Sequence, residues 1–334
     1  MMNRKVFLQS LFLLFLIVGT VFILKRQKSM PYQNDRGNIF GTQYNITYKH
    51  DKKLSLEIRR ALQDVDNALS IFNQSSIVSC INRNEDAETN THFERVFKLA
   101  MQVAEETDGA FDPTIAPLVN VWGFGFDTDK QPTSTVIDSL RTFLGYEKIS
   151  LERHKVLKQD NRTMLDFGAI AKGYACDVIA EVMKTHDIAD FMIEIGGEVV
   201  TKGHNASGEK WRIGIAKPDE SNSSEIQEVI NVGSCAMATS GNYRNYYYKN
   251  GIKYAHTINP KTGYPVNHSL LSATVIAPIC ALADAYATAF MVIGIDEAKA
   301  FLEKHQHISA YFIYTDENGK YAIWYSPKIK QLLN

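Results

Sequence analysis

The chain has 334 residues, of which 45% are hydrophobic and 11% aromatic, enough apolar content to bury one large core or two ordinary ones and too much for a disordered or fibrous protein. Its 36 basic and 37 acidic residues nearly cancel, so no face is given over to nucleic-acid phosphates and any polyanion it binds is small. The four cysteines, Cys80, Cys176, Cys235 and Cys280, have no C-x-x-C spacing and no His-rich tract beside them, which argues against a zinc module or a disulfide framework and leaves them as buried thiols.

At the N-terminus Arg4 and Lys5 precede nineteen uncharged residues, Val6 to Leu24, and Lys25, Arg26 and Lys28 follow. As a helix this run spans roughly 28 Å, close to the ~30 Å hydrocarbon core of a bilayer. A signal peptide usually has an apolar region of only ~7–15 residues and ends in small residues, whereas this run ends in Phe22-Ile23-Leu24-Lys25. Residues 1–30 are therefore expected to be an uncleaved anchor, with a cleaved signal as the alternative. No cysteine follows the run to carry a lipid. Positive charge flanks both ends and leaves the orientation nearly balanced. Residues 31–38 read as a polar linker and residues 39–330 as the folded domain.

In that domain Gln43 to Lys49 alternates as a strand, while Leu54 to Leu69 and Phe93 to Val103 place apolar residues at helical spacing. Strands are expected at Phe191–Ile195, Val199–Thr201, Trp211–Ala216, Val229–Val232, Leu271–Ala277 and Ala310–Tyr314. Helices are expected at Gly168–His186, Leu282–Gly294 and Asp296–Lys304. The polar segment Asp219–Glu228 reads as an exposed loop. No βαβ alternation runs through the chain, so the fold class is α+β, mixed sheets with packed helices, rather than a doubly wound sheet.

Five clusters of small, polar and aromatic residues interrupt these elements. Thr107-Asp-Gly-Ala-Phe-Asp-Pro-Thr114, with Trp122-Gly-Phe-Gly-Phe126 behind it, is rich in turn makers and reads equally as a surface loop. Leu165-Asp-Phe-Gly-Ala-Ile-Ala-Lys-Gly-Tyr-Ala175 reads as a strand end turning into a helix, whose free N–H groups suit a phosphate with Lys172 one turn later, although it lacks the P-loop spacing. Glu194-Ile-Gly-Gly-Glu198 permits a tight turn or a close backbone approach. Ala238-Thr-Ser-Gly-Asn-Tyr-Arg-Asn245 and the following Tyr254–Pro265 segment bring hydroxyls, tyrosines and His256, which reads either as a structural histidine or as a base. Ala283-Asp-Ala-Tyr-Ala-Thr-Ala289 sets Asp284 and Thr288 one helical turn apart in an apolar helix. A carboxylate there is costly unless paired, and oxygen ligands suit Mg²⁺; a helix cap or a Thr bonded back to its own helix is the plainer alternative.

In this order the clusters closely resemble the ApbE family, the FAD:protein FMN transferases. The resemblance covers roughly Phe40 to Gly294 and rests on Gly41-Thr42 together with the motifs just quoted, including His256-Thr-Ile-Asn-Pro-Lys-Thr-Gly263. It implies a two-lobed, T-fold-like α+β domain. It also implies an envelope enzyme that uses Mg²⁺ and FAD to attach FMN, through a phosphodiester, to a Thr or Ser of a target flavoprotein, with AMP leaving. By matched position it assigns FAD contacts to Phe40, Phe72, Ala110, Phe111, Asp112, Asp166, Lys172 and Ile258. It assigns metal contacts to Ala169 (through its carbonyl), Asp284 and Thr288, with Ala287 adjacent. Phe40 stands where many relatives have Met and Phe72 where many have Tyr, so a packing surface is kept but a sulfur and a hydroxyl are lost. Catalysis falls to Asp284, through the metal, and to His256 as general base, with Asp166 as rival. The expected partners are FAD, an acceptor such as an Nqr- or Rnf-type electron-transfer subunit, and the membrane, but no nucleic acid. The expected location is the inner membrane with the catalytic domain facing the periplasm. Competing readings are a Mg²⁺-dependent FAD pyrophosphatase and an FAD-binding protein without turnover.

Overall fold

The computed structural model describes residues 4–124, 132–218, 225–242, 246–249, 252–255 and 257–333. Helix α1 (Arg4–Ser29) is long and apolar enough over Phe7–Lys25 to cross a membrane, and its apolar side chains, Phe15 and Phe22 among them, are exposed.

Next come β1 (Tyr32–Ile39) and β2 (Thr42–Lys49), then α2 (Ser55–Leu69), α3 (Ile77–Asn82), α4 (Thr91–Glu106), α5 (Ala116–Val121) and α6 (Ser134–Arg141). The short strands β3 (Ile149–Glu152) and β4 (Lys155–Lys158) form a hairpin before α7 (Ala171–Thr185). The second half holds β5 (Phe191–Ile195), β6 (Glu198–Lys202), β7 (Trp211–Ala216), β8 (Ile226–Val232), β9 (Cys235–Gly241), β10 (Tyr246–Lys249), β11 (Ile252–Ala255) and β12 (Leu270–Ile276). Helices α8 (Cys280–Ile293) and α9 (Ile295–Lys304), strands β13 (Ser309–Thr315) and β14 (Tyr321–Tyr325), and α10 (Pro327–Lys330) complete the chain.

Eight strands make one sheet in the order β1-β2-β5-β6-β9-β12-β13-β14, and every pairing in it is antiparallel. Period-2 side-chain alternation gives this sheet two apolar faces. Ile193, Ala273 and Phe312 point to one face, where α2, α4, α7 and α8 complete the main core. Met237, Tyr311 and Ile313 point to the other, where the β7–β8 hairpin packs with Trp211, Ile213 and Ile230 and Ile329 of α10 adds to the cluster. The result is helices on sheet on hairpin, an α+β arrangement.

Residues 31–38, expected as a linker, instead carry most of β1, the edge strand next to β2. Its composition is polar because backbone pairing and a buried carboxylate do the work that apolar side chains do elsewhere. Asp35 accepts hydrogen bonds from the Tyr48 hydroxyl at 2.7 Å and from the Ser55 hydroxyl. Of the segment expected as an exposed loop, residues 226–228 belong to β8, while 219–224 lie outside the described residues. Strand β14 has no clear alternation signal either; Tyr321 and Ile323 are exposed at the opposite sheet edge. All four cysteines are free thiols; Cys176 and Cys280 are buried, whereas Cys80 and Cys235 are partly exposed.

Candidate active site

Helix α8 is apolar on all sides because it is buried on all sides, with Ala283, Ala285, Tyr286, Ala287 and Ala289 fully enclosed. Its N-terminus has no side-chain cap of its own. Asp177 of α7 supplies one, accepting the Cys280 and Ala281 amides at 2.9 and 2.8 Å. This fixes α8 against α7 and brings Asp284 to the Gly173 amide, which donates to Asp284 Oδ2 at 3.0 Å.

Lys172 Nζ lies 3.7 Å from Asp284 Oδ2 and 3.5 Å from Glu198 Oε1, so one ammonium faces two carboxylates that are only 2% and 3% exposed. Glu198 is delivered by the two-residue turn between β5 and β6. Gly196 and Gly197 there adopt φ of 65° and 109°, backbone that side-chain-bearing residues rarely take, and the Gly197 amide donates to Glu194 Oε1 at 2.8 Å. One turn past Asp284, Thr288 Oγ1 lies 3.2 Å from Ser240 Oγ at the end of β9.

Burial governs the protonation of this cluster. It raises Asp284 above the ordinary carboxylate range, partly offset by Lys172 and by the Gly173 amide. It pushes Glu198 upward as well, with Lys172 opposing and Asp284 reinforcing the rise. For Lys172, burial alone would favour the neutral amine, but Asp284 and Glu198 outweigh it and hold the ammonium above its usual value. Asp112 and Asp166 are also raised by burial, against hydrogen bonds from Thr114 and Tyr146 to the first and from Gly168 to the second.

These groups line a cavity of about 900 Å³. Of the expected site residues, Ala110, Phe111, Asp112, Asp166, Ala169, Lys172, Ile258, Asp284 and Thr288 stand on its wall. Phe40 and Phe72 line a second cavity of about 360 Å³ with Leu69 and Ile71, and Asp166, Gly168 and Lys172 border both. Ala287 lines neither cavity; its methyl is buried in α8. His256 lies outside the described residues, as do Tyr243 to Asn245 and Phe126.

Glu198, Thr239 and Ser240 also line the large cavity; the clusters that carry them stand out in the sequence, but none of the three is among the expected site residues. The signal for Glu198 is its place directly after a Gly-Gly turn, where β6 begins at the cavity wall. The oxygens of Asp284 and Thr288 suit a hard cation. One ammonium against two carboxylates leaves the cluster one negative charge in excess when all three are ionised, and Glu198 Oε2 is buried without a hydrogen-bond partner among the described residues. No group of three or more His, Cys, Asp or Glu side chains among the described residues is placed to hold an ion, so a cation here depends on further oxygens from substrate and water.

The chain is 37% identical to an FAD:protein FMN transferase of Vibrio cholerae over 295 residues, 85% of this chain and 88% of the relative. It is 35% identical to one of Haemophilus influenzae over 310 residues, 88% and 89% of the two chains. The solved flavin transferase ApbE from Vibrio cholerae matches with a TM-score of 0.82 at 34% identity, covering 91% of this chain and 100% of that one. The apo form of Pseudomonas stutzeri flavinyl transferase ApbE gives a TM-score of 0.82 at 28% identity, covering 91% and 97%. Residues 40–312 match the ApbE family, and with that span, that identity and that fold the chain belongs to it.

Proposed function

We propose that this chain is a flavin transferase that, with Mg²⁺, moves FMN from FAD to a Thr or Ser hydroxyl of an acceptor flavoprotein, forming a phosphodiester and releasing AMP. The observation that carries the reading is the cluster of Lys172 with the buried Asp284 and Glu198, with Thr288 one turn on, on the wall of a cavity that shares lining residues with a smaller one holding Phe40 and Phe72. Relatives at 35–37% identity that bear the name FAD:protein FMN transferase support it.

Asp284, Thr288 and the Ala169 carbonyl are the groups to hold the cation, which when bound neutralises charge on the pyrophosphate oxygens. Lys172 sits in the shared wall of the two cavities and adds a fixed positive charge beside the same oxygens. Phe40 and Phe72 give the flavin or adenine ring a surface to pack on, and Phe111, Asp112 and Ile258 bound the larger chamber. The acceptor oxygen attacks the phosphorus on the FMN side, the bond from that phosphorus to the bridging oxygen breaks, and AMP leaves with the bridging oxygen. The hydroxyl proton passes to a base, which we assign to His256, with Asp166 next in line.

Helix α1 supports membrane attachment, by its length and composition, and we assign it as an inner-membrane anchor with the catalytic domain in the periplasm. Electron-transfer subunits of the Nqr or Rnf type are the acceptors this placement suits. Incubation with FAD, Mg²⁺ and a Thr-bearing acceptor peptide tests the reading. Peptide carrying FMN, with AMP in equal amount, is expected. Free FMN and AMP alone would make the chain a pyrophosphatase, and unchanged FAD would make it a binding protein.

A further inference from the structure

Two carboxylates share one ammonium in this site, but they are not equally provided for. Asp284 has the Gly173 amide as a second partner at 3.0 Å. On Glu198, Oε2 is buried without a hydrogen bond among the described residues, a costly state for a carboxylate oxygen unless a donor reaches it during function. The Glu198 backbone is well fixed. It follows the Gly196–Gly197 turn, and its carbonyl accepts the Cys176 thiol at 3.4 Å. Lys172, by contrast, carries its charge on a flexible four-carbon stem, with a long contact to the Gly168 carbonyl at 3.4 Å as its other bond.

We propose that Glu198 is a positioning residue, which holds the Lys172 ammonium toward the FAD pyrophosphate once Asp284 is committed to the cation. This rests on the transferase reading. A dication on Asp284 takes up the negative charge that attracts Lys172 and repels the ammonium in the same few ångströms. Glu198 is then the remaining carboxylate that the described residues place within ion-pair distance of Lys172, and its free Oε2 is available for a second hydrogen bond. Without it, Lys172 turns away and the pyrophosphate loses a fixed charge.

The test uses the full chain and the variants Glu198→Gln, Glu198→Asp, Lys172→Gln and the double variant Glu198→Gln/Lys172→Gln. At saturating Mg²⁺, Glu198→Gln is expected to raise KM for FAD about tenfold, whereas FAD affinity by flavin fluorescence without Mg²⁺ stays within about twofold, because Asp284 then still holds the lysine. Glu198→Asp should recover part of the loss. The double variant should be no worse than Lys172→Gln alone. An equal loss with and without Mg²⁺, or additive losses in the double variant, overturns the proposal. A rise in the Mg²⁺ concentration for half-maximal rate makes Glu198 a cation ligand instead, and a lowered Tm with unchanged KM makes it merely structural. A wild-type chain that transfers no FMN sinks the transferase reading itself; a competent wild type matched by Glu198→Gln sinks only this inference.

Discussion

Asp284 Oδ2 accepts the Gly173 amide at 3.0 Å across 111 residues of chain, at a point where α7 and α8 come too close for any side chain. A Cβ on Gly173 would stand 2.3 Å from the Cys280 carbonyl oxygen and 2.9 Å from the Ala281 nitrogen, both backbone atoms that cannot swing aside. One absent methyl group thus sets the distance between the helix that carries Lys172 and the helix that carries Asp284.

Gly173→Ala is therefore expected to push the helices apart, costing about 1–3 kcal/mol as overpacking does and lowering FMN transfer more than stability alone explains. Urea unfolding and transfer rate on the same sample check this. A variant of wild-type stability and rate would show that the helices adjust without moving the site.

Asp284→Ala should abolish Mg²⁺-dependent transfer and leave a folded protein, because Glu198 still pairs with Lys172 at 3.5 Å and keeps a counter-charge beside the half-buried ammonium. Thr288→Ala should be milder, raising the Mg²⁺ requirement while keeping the maximal rate, since water replaces a neutral hydroxyl ligand. Circular dichroism and Mg²⁺ titration of the rate separate the two. Full activity of Asp284→Ala at low Mg²⁺ would remove the metal from this helix.

Phe72 is 69% exposed and yet borders the smaller cavity, so it adds little to the core. Phe72→Ala should leave Tm unchanged and raise KM for FAD by roughly two- to tenfold, the loss of one aromatic contact of ~0.5–1.5 kcal/mol. An unchanged KM would place the ring of the substrate elsewhere.

The cap on α8 titrates. Burial raises Asp177 to about 6, although the Ala281 and Cys280 amides pull the other way. Between its ordinary value of 3.8 and about 6 the folded chain holds this proton more tightly than the unfolded one. Asp177 thus contributes stability at acid pH that is lost as pH rises through that window, by at most ~1.4 kcal/mol per unit. Thermal melts of wild type and Asp177→Asn should diverge across pH 4 to 6, approximately the window set by these two values, with the variant lacking this downward slope. Parallel curves would mean that Asp177 stays ionised throughout.

His256→Ala should bind FAD with nearly unchanged affinity and transfer FMN about a hundredfold more slowly, the usual range for loss of a general base being ~10²–10⁴. Its wild-type rate should fall toward acid pH and the variant's should not. Weakened FAD binding with a lowered Tm would make the histidine structural, and a rate within a few fold of wild type would move the base to Asp166.

Much of this protein is legible along the chain. Phe191–Ile195 and Trp211–Ala216 form strands over the expected residues, and the apolar runs of α7 and α8 form helices within a few residues of expectation, because side-chain period is a local consequence of backbone geometry. The clusters around Asp166, Lys172, Asp284 and Thr288 likewise stand out as polar or glycine-rich interruptions of apolar elements. Strand β1 is not legible, since an edge strand held by backbone pairing and the buried Asp35 carries no apolar alternation. Nor is the role of Glu198. Its neighbours in space, Lys172 and Asp284, come from elements distant in sequence, brought together by the β6-β9-β12 strand order and the α7–α8 contact. Residue types and local periods are written in adjacent positions, and the sequence alone determines them; which distant charges share one ammonium depends on how separate segments pack, and only the tertiary structure decides it.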